Sequence, residues 1–217
     1  MGPSRRIGFF VTLGFNESRA LRAVADAKQC GGDVVLIVRR DSVEAAKKAV
    51  KNVRGFAEPL NVHVRVFEVD SRDWCEVIRL ARAMDEYDEV HVIIGGGLRI
   101  PQAYTLLAAL DVWGKVSKLE VLDHDTGEEV TIPHWLIPLI TSPERKGKIK
   151  VLLALSAEEP KTRAEIARAT NLSEQTVAKY LSYLNKAKLA KRVIPNKYKL
   201  TKLGQKLKNI YTQTNTQ

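Results

Sequence analysis

Residues 90–101 read VHVIIGGGLRIP, an apolar run that leads through three glycines into a stretch with helical character. Val90–Ile94 is typical of a strand that is buried on both faces of a parallel sheet. Proline favours the first turn of a helix, so Pro101 marks the start of a predicted helix over Gln102–Leu110. A strand, a glycine turn and a helix in this order indicate one unit of an α/β fold.

The same alternation of strand-like and helix-like segments fills the N-terminal half of the chain. The other predicted strands are Ile7–Leu13, Asp33–Val38 and Val62–Val69, followed by a closing hairpin of Lys118–Asp123 and Glu128–Ile132 around His124–Gly127. The predicted helices are Glu17–Ala27, Val43–Val53 with Ser42 as N-cap, and Asp73–Met84, whose buried stripe would be Val77, Ile78, Leu80, Ala81 and Met84. This alternation predicts the α/β class, with a mostly parallel sheet covered on both faces.

Two polar loops follow predicted strands whose carboxyl ends lie at one edge of such a sheet. The first strand runs into Thr12–Arg19 (TLGFNESR), and the fourth runs into Gly95–Pro101 (GGGLRIP). Open α/β sheets bind their ligands at this edge, where the strand order reverses. Glycines let a ligand approach the backbone closely, a helix N-terminus favours phosphate, and Arg99 can make a bidentate phosphate contact.

These loops supply the candidate ligand-binding residues. They are Thr12, Leu13, Gly14, Phe15, Asn16, Ser18, Arg19, Gly95, Gly96, Gly97, Arg99 and Pro101. Consecutive glycines also suit a tight strand-to-helix turn that binds nothing, and hydroxyl or amide side chains also serve as ordinary caps. Both interpretations therefore stay open at this point.

The charge of the chain is divided very unequally along its length. Residues 145–217 contain 17 Lys/Arg and 4 Asp/Glu, whereas residues 1–144 contain 18 and 21, within a total net charge of +10. A strongly basic segment indicates a polyanionic partner, or a solvated basic tail if it lacks a fold of its own. We divide the chain into a ligand-sensing domain (1–132), a linker (133–143) and a DNA-binding domain (144–217).

The basic segment has the pattern of a winged helix-turn-helix. Ser142 and Pro143 are predicted to start a first helix, whose apolar positions are Ile149, Leu152, Leu153 and Leu155. Thr162 and Glu165 have capping-box spacing and open a short helix over Ala164–Ala169. After a turn at Asn171–Ser173, Ser173 caps a longer helix to Ala187, whose buried stripe would be Val177, Leu181 and Leu184. A two-stranded wing is then predicted from Leu189–Ile194 and Tyr198–Thr201, which flank Pro195–Lys197. A last helix is predicted over Lys202–Tyr211, with Leu203, Leu207 and Ile210 on one stripe.

The second helix of such a motif enters the DNA major groove, and the wing contacts phosphates. The predicted DNA-binding residues are Ser173, Gln175, Thr176, Lys179, Tyr180, Lys191, Arg192 and Lys197. Glutamine and lysine have the hydrogen-bonding geometry for adenine and guanine edges, respectively. A winged helix used only for protein contacts is the alternative, which the charge of this segment disfavours.

Several classes of protein are not indicated by the sequence. No run approaches the roughly 20 apolar residues of a membrane helix, and no secretory signal pattern is present, so a cytoplasmic protein without membrane contact is expected. Cys30 and Cys75 are isolated, and His63, His91, His124 and His134 form no metal-binding pattern. A Walker loop and a nucleophile elbow are also missing, so we expect no cofactor, no metal and no enzymatic activity.

The loops TLGFNESR and GGGLRIP, on strands one and four of a Rossmann-like domain, resemble those of CARF domains. CARF domains are CRISPR-associated Rossmann folds that sense cyclic oligoadenylates. With a winged helix behind it, the chain resembles, over residues 7–212, the archaeal CRISPR-associated transcriptional regulators of the Csa type. The resemblance implies a homodimer that binds one ring, cyclic tetra-adenylate, across its two-fold axis and that also binds double-stranded DNA.

The resemblance also implies alternatives. Some CARF domains are ring nucleases that cleave their own ligand with its ribose 2′-hydroxyl as nucleophile, a reaction that needs only positioning and charge stabilisation, here from Ser18 and Arg99. A ligand scavenger with a merely structural winged helix is a related alternative. A regulator that senses a dinucleotide is disfavoured, because the first loop lacks G-x-G-x-x-G.

Overall fold

The computed structural model describes residues 5–14, 16–41, 44–95, 99–122 and 128–213. The chain forms two compact units, Met1–His134 and Trp135–Gln217. Within the described ranges, no helix combines the length and the apolar character that crossing a membrane requires.

The N-terminal unit is built on a six-stranded sheet. Its strands are β1 (Ile7–Thr12), β2 (Asp33–Arg39), β3 (Val64–Val69), β4 (Glu89–Ile94), β5 (Val116–Leu122) and β6 (Glu129–Thr131), in the spatial order β3-β2-β1-β4-β5-β6. The first five strands are parallel, and β6 pairs antiparallel with β5. The predicted α/β class with a mostly parallel sheet is therefore confirmed, and the strand order reverses between β1 and β4.

Helices cover both faces of this sheet. They are α1 (Ser18–Cys30), α2 (Glu44–Ala57), a 3-10 turn at Glu58–Leu60, α3 (Cys75–Asp85) and α4 (Arg99–Asp111). Phe9 and Val11 of β1 belong to the core that α1 and α2 close, whereas Phe10 points to the other face, with its ring centroid 5.6 Å from that of Tyr87. The predicted N-cap of α2, Ser42, and the loop between β5 and β6 lie outside the described residues.

Two helices of this unit differ in detail from their predicted patterns. Ile78 of α3 was expected in the core, but 59% of its surface is exposed, whereas Glu76 is buried. The carboxylate of Glu76 accepts hydrogen bonds from Arg40 (3.1 Å) and Arg79 (2.8 Å), and this pairing makes its burial possible. Helix α4 begins at Arg99, two residues before the predicted proline start, so Arg99 lies in the first turn of the helix.

The arrangement of the C-terminal unit fits the winged helix that the sequence predicts. Its elements are α5 (Leu136–Thr141), α6 (Arg145–Ala154), β7 (Lys161–Thr162), α7 (Arg163–Thr170), α8 (Glu174–Lys186), β8 (Ala190–Ile194), β9 (Lys197–Leu200) and α9 (Lys202–Gln213). The three strands form an antiparallel sheet in the order β7-β9-β8. Val177, Leu181 and Leu184 of α8 are fully buried, in agreement with their helical spacing.

The segment predicted as a linker contains a helix that belongs to this second unit. Leu139 of α5 is fully buried in the core of the C-terminal unit. Ser142 does not cap α6 as expected, because α6 begins at Arg145, and the Ser142 hydroxyl instead accepts a hydrogen bond from the Glu144 amide (3.1 Å). In α6 the buried apolar residues are Val151 and Leu152, with Leu155 just after the helix, whereas the predicted positions Ile149 and Leu153 are only partly buried.

Helix α9 also packs through a narrower stripe than expected. Leu207 contacts the core of the C-terminal unit, as does Tyr211, but Leu203 and Ile210 are 44% and 53% exposed. The predicted stripe of three residues therefore contributes one side chain to this core.

The predicted capping box at the start of α7 is present. The Thr162 hydroxyl accepts from the Glu165 amide (3.2 Å), and a Glu165 carboxylate oxygen accepts from the Thr162 amide (2.6 Å). These hydrogen bonds from Thr162 hold the pKa of Glu165 below its ordinary value of 4.5. The stability that the ionised Glu165 gives to the folded state is therefore fully present when the pH is above the ordinary pKa of 4.5. This stability is lost as the pH falls through the lowered pKa.

Substituting Thr162→Ala removes one half of the box, and we expect the C-terminal unit to lose about 1 kcal/mol of unfolding free energy at neutral pH. Hydrogen–deuterium exchange of the α7 and α8 amides in the full chain measures this loss. Thr162→Ser keeps the hydroxyl and is the matched control. Equal exchange in the alanine and wild-type proteins would contradict a stabilising role for the cap.

Candidate functional site

The ends of β1 and β4 are tied together at the carboxyl edge of the large sheet. Thr12 is the last residue of β1 and is buried, and its hydroxyl oxygen accepts a hydrogen bond from the Gly95 amide (3.2 Å). The next residue, Leu13, donates its amide hydrogen to the Ile37 carbonyl of β2 (2.9 Å). The edge is therefore a fixed platform where the strand order reverses, which is the usual ligand position in open α/β sheets.

Two helices begin at this platform. Helix α1 starts at Ser18, whose amide donates to the Asn16 side-chain oxygen (2.9 Å), and α4 starts at Arg99. Neither helix carries an acidic residue in its first turn. The positive end of each helix dipole therefore favours an anion in front of it.

Arg19 lies across the glycine turn. A Cβ atom added at Gly95 would come within 3.1 Å of the Arg19 Cγ, so the glycine gives the arginine room to pass. The Arg19 guanidinium pairs with Glu129 of β6, and Arg22 pairs with the same carboxylate (2.6 Å). The two cations therefore share one carboxylate.

The sequence did not single out Arg22 or Glu129. Glu129 lies in the predicted hairpin, and its contact with Arg22 joins residues 107 positions apart. No local pattern reveals a pair at that separation, because only the strand order brings β6 within reach of α1.

The structure brings most of the predicted ligand-binding residues to this edge. The residues with exposed or partly exposed surface there are Asn16, Ser18, Arg19 and Arg99, and the residues that shape it from beneath are Thr12, Gly14 and Gly95. Phe15, Gly96 and Gly97 lie outside the described residues.

Two of the predicted ligand-binding residues have a structural explanation instead. The Leu13 side chain is only 4% exposed and its amide is already bonded to Ile37, so it packs under the edge. Pro101 is buried in the first turn of α4, where its carbonyl accepts from the Thr105 hydroxyl (2.7 Å). Both side chains therefore lie beneath the edge, and direct ligand contact by either of them stays a prediction.

A second candidate surface lies on the C-terminal unit, at the start of α8. The Ser173 hydroxyl caps the helix by accepting from the Thr176 amide (3.1 Å), and the two hydroxyl oxygens are 2.8 Å apart. Gln175 and Lys179 are exposed on the following turn. Ser173 and Thr176 therefore build the helix start, while Gln175 and Lys179 extend from it.

Lys179 is held by an acidic residue in front of α6. Its ammonium group lies 2.6 Å from a Glu144 carboxylate oxygen. This contact raises the pKa of Lys179 and lowers the pKa of Glu144. Both groups are charged at neutral pH, so a DNA contact by Lys179 has to compete with Glu144.

Tyr180, a predicted DNA contact, is largely buried. Its side chain is only 8% exposed, and a Cβ atom added at Gly147 would lie 2.6 Å from its ring. The ring packs closely on α6 and serves the core, which explains why α6 has a glycine at that position. The wing presents the remaining predicted cations, since Lys191 and Arg192 are exposed on β8 and Lys197 is partly exposed on β9.

Comparison with known families decides the identity of the N-terminal unit. The model of the Csa3 CRISPR-associated Rossmann-like domain matches residues 7–133, more than half of the chain. The chain belongs to this family. None of the curated proteins matches it. Among solved structures, the crystal structure of a ketoreductase domain from the bacillaene assembly line is similar, with 21% sequence identity and a TM-score of 0.34. The similarity covers 49% of this chain and 29% of the ketoreductase chain. This chain therefore spans less than a third of the length of that structure.

Membership in the Csa3 family confirms the resemblance to CARF proteins of the Csa type. The N-terminal unit is accordingly a CRISPR-associated Rossmann-like domain. The family match covers the β1–β4 edge, so Thr12, Gly95 and Arg99 lie within the matched range, whereas most of the C-terminal unit lies beyond it. In the described part of the Csa3-type chain, no cluster of three or more His, Cys, Asp or Glu side chains is arranged to hold a metal ion.

The Thr12–Gly95 hydrogen bond gives a direct test of the platform. Thr12→Val keeps the side-chain shape but leaves the Gly95 amide without this acceptor, and we expect the N-terminal unit to lose about 1–3 kcal/mol of unfolding free energy. Urea unfolding of the full chain, with hydrogen exchange at residues 90–95, measures the effect. Thr12→Ser retains the hydroxyl and is expected to stay close to wild type; a valine variant as stable as the serine variant would show that the bond contributes nothing.

Proposed function

We propose that the protein is a CRISPR-associated transcriptional regulator that binds a cyclic oligoadenylate, cyclic tetra-adenylate, at the β1–β4 edge and double-stranded DNA through its winged helix. The observation that carries the ligand half is the convergence of two helix N-termini, Arg19 and Arg99 on one glycine-lined edge. Each of these groups favours phosphate for a separate physical reason.

A ring ligand with two-fold symmetry suits a pair of identical edges. In a homodimer with a two-fold axis, each protomer presents the same residues to half of the ring. Exposed apolar side chains just before α3, on α3 and on α4 support such an assembly: Trp74 (68% exposed), Ile78 (59%), Ile100 (40%) and Leu107 (43%). Apolar groups exposed together on neighbouring helices are typical of an interaction surface. We assign this surface to a second copy of the chain.

The DNA half of the proposal rests on the form and the charge of the C-terminal unit. Residues 145–217 of this unit hold 17 Lys/Arg and 4 Asp/Glu, and this excess is built into a folded winged helix and not a tail. Gln175 and Lys179 extend from the start of the recognition helix, α8, where such side chains read base edges. Lys191 and Arg192 on the wing supply sequence-independent phosphate contacts.

Arg99→Ala tests the ligand site. Loss of a charge-assisted hydrogen bond to phosphate is expected to weaken binding of labelled cyclic tetra-adenylate by about 10- to 100-fold in isothermal titration. Arg54→Ala, in the last turn of α2, removes another exposed arginine and is the matched control. Undiminished binding by the Arg99 variant would refute the assignment of the site.

The same incubation distinguishes binding from cleavage. The proposed regulator binds the ring without cleaving it, so we expect chromatography to recover cyclic tetra-adenylate intact. Linear oligoadenylate products would instead assign the protein to the ring-nuclease alternative.

The double variant Lys191→Gln/Arg192→Gln tests the DNA surface. Each lost phosphate contact lowers the salt dependence of binding. The magnitude of the negative slope of log K against log salt concentration should therefore decrease by about 2. Fluorescence anisotropy with duplex DNA at several salt concentrations gives the slope. Lys48→Gln, on the exposed face of α2, is the control, and an unchanged slope in the wing variant would place the DNA elsewhere.

A further inference from the structure

Helix α1 begins with charges of the sign that its own dipole disfavours. Arg19 lies in the first turn of α1 and Arg22 at the start of the second, and residues three apart are neighbours on a helix surface. The N-terminus of a helix carries a partial positive charge, and the first turn of α1 contains no acidic residue to balance it. The two arginines, which we call the arginine pair, therefore weaken α1 unless an anion lies beside them. A residue choice that local stability does not explain is typical of a functional site.

The anion beside the arginine pair is a carboxylate of the chain itself. Glu129 of β6 uses one carboxylate oxygen for each arginine: Oε1 pairs with Arg19 Nη1, and Oε2 lies 2.6 Å from Arg22 Nη1. The Glu129 side chain is 20% exposed, whereas that of Arg22 is 51% exposed. The carboxylate is therefore largely enclosed, while solvent still reaches an arginine that holds it.

This bridging carboxylate lies at the ligand edge. Arg19 passes close to Gly95 at the end of β4, where an added Cβ atom would come within 3.1 Å of its Cγ. Glu129 pairs in register with Leu122, the last residue of β5, and β5 is the neighbour of β4 in the sheet. A ligand phosphate that contacts Arg19 at this edge therefore approaches the Glu129 carboxylate, which carries the same sign of charge.

We propose that the arginine pair is a second phosphate subsite for the cyclic oligoadenylate, and that Glu129 occupies this subsite until a ligand phosphate replaces its carboxylate. The inference rests on the proposed function, whose ligand and edge it uses, and it adds Arg22 as a binding residue. Each protomer of a two-fold dimer faces half of a tetra-adenylate ring and hence two phosphates. Arg99 at the start of α4 takes one of them, and the arginine pair takes the other.

A carboxylate and a phosphate compete for this subsite because they accept the same guanidinium N–H donors. Arginine binds either anion in a bidentate manner, and two like charges cannot share the space between two guanidinium groups without strong repulsion. Glu129 thus holds the arginine pair together and also opposes every anion that approaches it. A ligand that contacts Arg99 and the α4 start as well overcomes this opposition, whereas a single small anion does not, so Glu129 increases selectivity for the ring.

Glu129→Gln tests the competition, because glutamine keeps the side-chain size and removes the negative charge. We expect the Kd of labelled cyclic tetra-adenylate for the full chain to fall by about tenfold. The urea midpoint should fall as well, since two ion pairs are lost. A merely structural role would instead make the less stable variant the weaker binder. Asp111→Asn removes an exposed negative charge about 18 Å along α4 from Arg99, beyond the screening length, and should keep the Kd within about twofold of wild type.

Arg22→Ala tests the subsite itself. Loss of a charge-assisted contact with phosphate should raise the Kd of cyclic tetra-adenylate by about tenfold. Arg54→Ala removes an exposed arginine from α2 and is again the control.

The outcomes separate this inference from the proposed function. If wild type binds the ring but Glu129→Gln binds it no more tightly, or Arg22→Ala binds it as well as Arg54→Ala does, the subsite is overturned and the proposed function stands. Binding that is seen only after Glu129→Gln supports both proposals, because it means that the carboxylate blocks the ring. Absence of binding in wild type and in Glu129→Gln alike refutes the proposed function together with the inference.

Discussion

The parallel pairing of β1 with β4 is the constraint on which the N-terminal unit depends. Because β2 and β3 lie on one side of this pair and β5 and β6 on the other, the chain leaves the two central strands toward opposite faces of the sheet. The crevice that results lies between the starts of α1 and α4. The Thr12 hydroxyl closes the base of the crevice by accepting the Gly95 amide hydrogen. A sheet with any other neighbour for β1 would separate the two loops and leave each as an ordinary turn.

Charge at this edge is organised by a contact across the sheet. Glu129 reaches Arg19 and Arg22 from β6, so the antiparallel hairpin at the end of the domain orients cations of the first helix. The Csa3-type edge therefore uses residues from both ends of the domain. In the winged helix, the acidic residue in the equivalent role is Glu144, which holds Lys179. In both places a carboxylate lowers the conformational freedom of a long basic side chain that we propose to bind a nucleic acid or nucleotide phosphate.

Sequence reasoning succeeded where the cause of a structure is local. Thr162 and Glu165 are three residues apart, and their capping box is present as predicted. Ser173 caps α8, and Val177, Leu181 and Leu184 are buried, because helical spacing alone places them on one stripe. The core prediction for Ile78 was wrong, and Tyr180, a predicted DNA contact, is largely buried, because burial depends on a partner from elsewhere in the chain. Arg40 makes a buried Glu76 favourable on α3, and Gly147 makes space for the Tyr180 ring on α6.

By itself the sequence determined the alternation of strands and helices, the helix caps, the division of charge between the two halves and the two loops that resemble those of CARF domains. These features arise from backbone preferences, hydrophobic periodicity and composition, which act over a few residues at a time. Only the tertiary structure decided that Glu129 contacts Arg19, that Leu13 and Pro101 lie beneath the edge, and that the His134 and Trp135 carbonyls are bound by Trp113 and Tyr183. Each of these contacts depends on strand order or on helix packing, because the free energy of burying or pairing a group is set by neighbours that are distant in the chain.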